Sequence, residues 1–358
     1  MKLKRFVLLG AAGLSIAALA SCGSDETSYK LKITNASGSA EEILVEKSSD
    51  TEDVLNTMKA VAATEASTIS EFTSFSIDCT ADVKSTVDGG KFNTTIKMGS
   101  AVSLTSPELS LNMSTKLDVS NAAAKALDIE PTSGTIKINT YLDSEYIYYD
   151  MSAEGETLKY KMDASMMGTA YTELADAAYE AYDSYANRDL TTIFAAAGID
   201  VDDYKNAYSA ILANEDKLKT FIEDHDVVVS SVTNDYIYFT MDLNGVDMKN
   251  LYNSIGEMTD LNTASLVGEN DEMTVTMGFD TEYYYMSYIK MDLSDAPSLV
   301  SSSFGASSMS ISSYDVEVSF GFNKGEIKTP SNKDSYQYFG YSFNFDFDTD
   351  TTDYTFSF

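Results

Sequence analysis

Few residues of this chain have the type and spacing of a catalytic group. His225 is the only histidine, which excludes metal sites that need two histidines. Since its neighbours are acidic, we expect it at the solvated end of a helix. Ser287 and Lys290 match the Ser-x-x-Lys pattern of some hydrolases, but in a strand this offset directs the two side chains to opposite faces. The sequence therefore predicts a protein without catalytic activity, with an unrecognised hydrolase as the least favoured alternative.

An acidic cluster near the C-terminus has the oxygen ligands that calcium prefers. Its members are Asp346, Asp348, Asp350 and Asp353. The loop of an EF-hand would require glycine and glutamate where Thr351 and Ser357 stand. Aromatic residues alternate through the cluster as in a strand, so we favour an acidic hairpin turn over a calcium site. No metal and no other cofactor is predicted, and calcium stays an alternative.

The N-terminus has the three parts of a secretory signal. Basic residues at positions 2, 4 and 5 precede an apolar stretch over residues 6–20, which is shorter than the ~20 apolar residues of a membrane-spanning helix. The ending Leu19-Ala20-Ser21-Cys22 resembles the lipobox of bacterial lipoproteins. The resemblance implies that residues 1–21 are a signal peptide and that acylated Cys22 anchors the protein to a membrane. An ordinary signal peptide with a chance cysteine is the alternative.

That resemblance also implies where the protein works. We expect an extracytoplasmic location, either at the outer face of the cytoplasmic membrane or at the cell surface. Residues 22–50 would form the lipidated N-terminus, a polar tether and an extra hairpin. With Cys22 acylated, Cys79 has no partner for a disulfide within the chain. Cys79 alternates with apolar residues, so we expect a buried strand residue there.

The charge of the chain excludes nucleic acid as a partner. The 56 acidic and 24 basic residues give a formal net charge of −32, so phosphate is repelled at long range. Beyond residue 21, Arg188 is the only arginine, which removes the usual bidentate ligand of phosphate and guanine. Hydrophobic residues make up 44% of the chain, enough to form a buried core. The sequence identifies no particular protein partner.

The apolar periodicity of the chain predicts its helices and strands. A helix with Asp50 or Thr51 as its cap begins the core region. Residues 75–83 alternate with period two and lead into the hairpin signal Asp88-Gly89-Gly90. Helical spacing replaces the alternation over residues 167–185 and 204–222, and alternation returns after residue 227. Segregated helices and strands predict an α+β fold, a large curved antiparallel sheet with several helices over one face.

Two segments of the alternating regions are nearly identical. Residues 146–151 read YIYYDM and residues 236–241 read YIYFTM, each after an acidic turn. Internal duplication and convergent strand composition both explain this likeness.

The order of the elements supports a resemblance to a known family. A lipobox, a helix, antiparallel strands, a helical insertion and further strands resemble the LolA-like superfamily of half-barrel lipid carriers. The hairpin at residues 146–151 and the segment at residues 316–330 contribute most, and the resemblance covers residues 51–330. It implies an open half-barrel whose concave face and covering helices enclose an apolar cavity for acyl chains. Residues 331–358 are an aromatic, strand-like extension without a counterpart.

The predicted cavity also has a physical argument. Residues 283–293 are apolar on both faces of one predicted strand, so both faces need a cover. Methionine is flexible and polarisable, and the 16 methionines suit a wall that adapts to varied chains. A solid core with methionine as filler is the alternative. The candidate wall residues are Met151, Met241, Met277, Phe279, Met286, Tyr288, Leu174 and Tyr208.

Taken together, these features predict a non-catalytic, membrane-anchored lipoprotein that binds a hydrophobic ligand, either a lipid or an acyl chain. The alternative is a structural or adhesive surface lipoprotein that engages another macromolecule through its aromatic C-terminal strands. A void between sheet and helices would favour the first function, and a filled core with an exposed aromatic patch the second.

Overall fold

The structure is a computed structural model of the 358-residue chain. It describes residues 28–34, 40–63, 73–127, 131–153, 155–167, 191–200, 207–259, 267–281, 286–298, 309–322, 327, 329–330 and 332–338. The predictions for Cys22, for Leu174 and for the acidic cluster at residues 346–353 lie outside the described residues.

Strands dominate the described part of the chain. In chain order they are β1 (Ser28–Thr34), β2 (Ala40–Glu46), β3 (Ser74–Val87), β4 (Gly90–Ser103), β5 (Leu109–Val119), β6 (Thr132–Leu142), β7 (Tyr146–Ala153), β8 (Glu156–Asp163), β9 (Val228–Val232), β10 (Tyr236–Asn244), β11 (Glu272–Asp280), β12 (Met286–Asp292), β13 (Met309–Phe322) and β14 (Gln337–Tyr338). The helices in the same residues are α1 (Thr51–Ala63), α2 (Asn121–Leu127), α3 (Thr191–Ala196), α4 (Ala207–Ala213), α5 (Glu215–Asp224) and α6 (Gly245–Thr259).

Twelve of the strands form one sheet. Its order is β14-β8-β7-β6-β5-β4-β3-β13-β12-β11-β10-β9, while β1 and β2 form a separate hairpin. Successive strands from β3 to β8 and from β9 to β13 make two meanders, which are joined where β13 pairs with β3. All neighbours are antiparallel except β14, which is parallel to β8. The predicted antiparallel sheet with segregated helices is confirmed.

Local signals explain where two elements begin and end. Helix α1 begins at Thr51 because Asp50 Oδ1 accepts the backbone N–H groups of Glu52 and Asp53 at 3.0 and 3.3 Å. The β3–β4 hairpin turns at Asp88 and Gly89, whose φ angles of +48° and +76° suit a type I′ turn.

The main core lies on one face of the sheet, here called the inner face and marked by Phe239 of β10. Four buried side chains of β10 pair in register with four of β11: Ile237 with Phe279, Phe239 with Met277, Met241 with Val275, and Leu243 with Met273. Buried helix residues such as Phe194, Ile211 and Met248 pack against them in the same cluster. The helices therefore close the inner face over the second meander.

The opposite, outer face is polar and carries a short C-terminal strap, defined as residues 332–338. Tyr336 of the strap is buried, with its ring 5.1 Å from the ring of Tyr148. Lys333 Nζ donates to Asp143 Oδ2 at 2.5 Å. Strand β14 pairs with Tyr160 and Lys161 of β8. The strap thus covers one end of the β8 edge.

Candidate functional site

A group of exposed and half-buried apolar side chains lies on the inner face of the first meander. We call this group the apolar floor. Its members are Ile96, Met98, Leu111, Met113, Ile136, Ile138, Met151 and Leu158. Five of them are among the most exposed large hydrophobic residues described, namely Leu111, Met113, Ile136, Met151 and Leu158. Large apolar side chains gathered on one surface in this way mark a binding site more often than scattered ones do.

Strand register brings these residues together from five strands. Met98 pairs with Met113, Met113 with Ile138, Ile138 with Met151, and Met151 with Leu158. Paired residues of antiparallel strands point to the same face, and residues two apart in one strand do so as well. The floor is therefore a continuous surface from β4 to β8.

The floor ends where the inner face becomes covered. Towards one end of the strands, Val102, Leu109 and Ile147 lie on the same face but belong to the main core. Towards the other end, α2 covers the face, since Ala123 and Ala124 pack with Val87 and Val119. Among the described elements, none covers the floor between these two packed regions.

Charge is segregated between the two faces of these strands. By alternation from the paired positions, the outer face of β4–β8 carries the charged residues, namely Lys91, Lys97, Lys116, Asp118, Lys137, Asp150, Lys159, Lys161 and Asp163. Glu156, at the start of β8, is the exception among the described residues of these strands. A charge beneath a bound apolar molecule would lose its hydration at high cost. The floor is thus suited to an uncharged, apolar partner.

The predicted wall residues occupy four different environments. Met241, Met277, Phe279 and Met286 are buried on the inner face, where helices and strands fill the space. They belong to the closed core. Met151 lies on the apolar floor and is 48% exposed.

Tyr288 lies on the outer face, opposite to Met286, although strict alternation would place these two residues of β12 on the same face. It pairs with Gly278, whereas Met286 pairs with Phe279 of the inner face. The pairing register between β11 and β12 shifts at this point. Met286 and Tyr288, which are two positions apart in β12, therefore point to opposite faces. Tyr288 donates its hydroxyl to Glu317 Oε1 at 2.9 Å, and burial together with Glu317 raises the pKa of this phenol.

Tyr208 of α4 lines an open cleft beside β2 and α1. The cleft has a volume of about 560 Å³, and a second cleft of about 540 Å³ follows it towards β9. Leu44, Ala60 and Tyr208 face the first cleft together with Lys47 and Asp53. Glu46 and Lys47 line both clefts, and these charged residues distinguish the clefts from the floor.

The residues with catalytic potential form no reactive pair. Ser287 is fully buried and its hydroxyl has no hydrogen-bond partner, while Lys290 Nζ contacts Asp315 Oδ1 at 3.2 Å. His225 ends α5, but the expectation of a solvated side chain is wrong. Its ring is largely buried, with Nδ1 donating to the carbonyl oxygen of Asp242 at 3.1 Å and Nε2 at 3.4 Å from Asp247.

Cys79 lies in the core as a small hydrophobic residue. It is 4% exposed on β3, and burial, with a further effect of the Asp78 charge, raises the pKa of its thiol to about 12. A thiol of this kind is not a nucleophile near neutral pH. Among the described residues, no group of three or more histidine, cysteine, aspartate or glutamate side chains is arranged to hold a metal ion.

Seven of the eight floor residues were absent from the predicted wall. Alternation indicated that apolar residues of β5 and β6 share a face, but the same pattern occurs in the covered strands β10 and β11. The absence of charge across five neighbouring strands could have indicated the difference, once the strands were known to be adjacent.

Comparison with known proteins leaves the family unassigned. None of the described helices has the length and apolar character needed to cross a membrane. No family model matches the chain, and neither a curated protein nor a solved structure is detectably similar to it.

Proposed function

We propose that this protein is a non-catalytic lipoprotein that binds the acyl chain of a lipid on its apolar floor. The segregation of charge carries the proposal. Between its two covered ends, the inner face of β4–β8 is largely apolar and carries no charge apart from Glu156, while lysines and aspartates occupy the outer face. Acyl chains need such a surface, because burying apolar area stabilises the complex by about 25 cal/mol per Å².

The anchoring of the protein is a further part of the proposal. Lys2, Lys4 and Arg5, the apolar stretch behind them and the Leu-Ala-Ser-Cys ending support acylation of Cys22 at a bacterial membrane. Two or more acyl chains on one cysteine give stable anchoring, which one chain does not. An anchored carrier would meet its ligand at the same membrane.

The finer shape also belongs to the proposal. A half-barrel with its concave side inwards would place the floor in the concavity, beside the core that the helices cover. The long antiparallel sheet and the helices on its inner face support this shape. The ligand would then occupy the uncovered half of the inner face, rather than the filled space beneath the helices.

The test compares one substitution on each face of β7. Met151→Lys places an ammonium group on the floor, and Ser152→Lys places the same group on the outer face. The full chain is purified from membranes, delipidated and titrated with palmitate against a fluorescent fatty acid, and native mass spectrometry counts the bound chains. We expect Met151→Lys to weaken binding roughly tenfold or more and Ser152→Lys to bind like the wild type.

Both variants should keep the unfolding temperature of the wild type, because residue 151 is already half exposed. Equal palmitate affinity of Met151→Lys and wild type, or no bound chain in any of the three proteins, would show the proposal to be wrong. The alternative of a macromolecular partner for the aromatic C-terminal residues stays a prediction, because residues 339–358 lie outside the described part.

A further inference from the structure

The central row of the floor runs across the strands without interruption. Its five side chains are Met98, Met113, Ile138, Met151 and Leu158, one from each strand from β4 to β8. The neighbouring rows are interrupted by hydroxyl groups, Ser100 and Thr140 on one side and Thr115 on the other. The continuous apolar track is therefore one side chain wide, which fits a linear molecule better than a broad protein surface.

The two ends of this row differ. Met98 at one end is half-buried, whereas Leu158 at the other end is 50% exposed. At the inner end, the register set by Ser74 and Ser103 brings buried Cys79 beside Met98, and Cys79 pairs with buried Val318. The row is closed where the core begins and open at the β8 edge. On the side of β8 away from β7, no strand among the described residues pairs with residues 156–159.

We propose that the central row selects a single unbranched acyl chain by its length, with the methyl end innermost beside Cys79 and the polar end at the β8 edge. This inference rests on the proposed function. The polar end stays outside because a carboxylate on a charge-free surface would lose its hydration without compensation. The four strand spacings from Met98 to Leu158 amount to about 19 Å, the length of roughly fifteen extended methylene groups.

The test is a series of saturated fatty acids from octanoate to stearate. Each displaces a fluorescent fatty acid from the delipidated full chain, and isothermal titration repeats the measurement without the fluorescent probe. We expect the affinity to rise roughly two- to fourfold with each methylene group, until the chain fills the row, and then to level off. A plateau near the length of palmitate is the expected result.

A substitution within the row should move this plateau. Met113→Lys interrupts the row at its second position and leaves Ile138, Met151 and Leu158 for the chain, about 10 Å in two strand spacings. We expect octanoate to bind this variant within twofold of the wild type, and palmitate to lose at least tenfold. Asn112→Lys, on the outer face of the same strand, is the matched control and should keep the wild-type profile.

The outcomes separate this inference from the proposed function. If the wild type binds none of the fatty acids, the proposed function fails, and the selection by length fails with it. If fatty acids bind but chain length has no effect, or if Met113→Lys weakens octanoate and palmitate equally, selection by length is wrong while acyl binding stands. Melting curves of both variants exclude a loss of folding as the cause.

Discussion

Asp143 joins the β6–β7 turn to the C-terminal strap. Its Oδ1 accepts the backbone N–H groups of Glu145 and Tyr146 at 2.9 and 2.8 Å, and its Oδ2 accepts Lys333 Nζ at 2.5 Å. Partial burial opposes ionisation of the carboxyl group, but the hydrogen bonds from Lys333, Tyr146 and Glu145 outweigh it and hold its pKa below the ordinary value.

A lowered pKa makes this carboxylate a source of stability that depends on pH. Its contribution is present above the ordinary pKa of about 4 and is lost as the pH falls through the lower pKa of the folded state. We expect Asp143→Asn to lower the free energy of unfolding by about 1 kcal/mol at pH 7. At pH values below the folded-state pKa of Asp143, the substitution should have almost no effect. Urea unfolding followed by circular dichroism across this pH range measures the difference.

Glu145→Gln is the control for that prediction. It removes a carboxylate from the same turn whose side chain makes no hydrogen bond within the described residues, so it should keep the wild-type free energy of unfolding at pH 7. If the difference in unfolding free energy between Asp143→Asn and the wild type stays constant down to pH values below the folded-state pKa of Asp143, the role assigned to the charge is contradicted.

Elements are positioned by close backbone approach as well as by side chains, and α2 is an example. It packs over the start of β4, where a Cβ atom on Gly90 would lie 2.2 Å from the backbone N of Ala123. A Cβ on Gly134 of β6 would meet no atom within 4 Å. The two glycines therefore form a matched pair for testing how α2 closes its end of the floor.

We expect Gly90→Ala to destabilise the protein by about 1–3 kcal/mol, because the added methyl group pushes α2 from the sheet. Gly134→Ala should be neutral or slightly stabilising, since alanine loses less conformational freedom on folding. Urea unfolding gives both values, and amide hydrogen exchange reports opening of α2. Normal exchange protection of α2 in Gly90→Ala would contradict the role assigned to this contact.

The two similar sequence segments have similar turns in the structure. In the β6–β7 turn, Asp143 accepts the N–H groups of Glu145 and Tyr146, and in the β9–β10 turn the hydroxyl of Thr233 accepts those of Asp235 and Tyr236. In both turns, a polar side chain at the first position thus accepts the backbone N–H groups two and three residues later.

For the whole molecule, the anchor at Cys22 makes one prediction that is independent of ligand binding. Cells supplied with an alkynyl fatty acid should label the wild-type protein and leave Cys22→Ala without label, because the only other thiol, Cys79, is buried. Fractionation should place the wild type in membranes. Cys79→Ala, which should keep the label, is the control, and label that persists in Cys22→Ala would refute the anchor.

Local sequence patterns were sufficient for much of the architecture. The Asp50 cap, the Asp88-Gly89 turn and the alternation of residues 75–83 lie where the sequence predicts them, since each depends on interactions between near neighbours in the chain. The antiparallel sheet and the segregated helices follow from the same signals. The face on which Tyr288 lies could not be predicted from these signals, because a register shift between two strands leaves no pattern in the sequence of either strand alone.

Apart from β12, alternation along the chain predicts which side chains share a face, but it does not predict which of those faces other elements cover. Met241 and Met151 lie in similar alternating strands, yet the first is buried beneath helices and the second is 48% exposed. This is because alternation reflects how apolar and polar residues separate within one strand, whereas coverage depends on where helices distant in the chain pack.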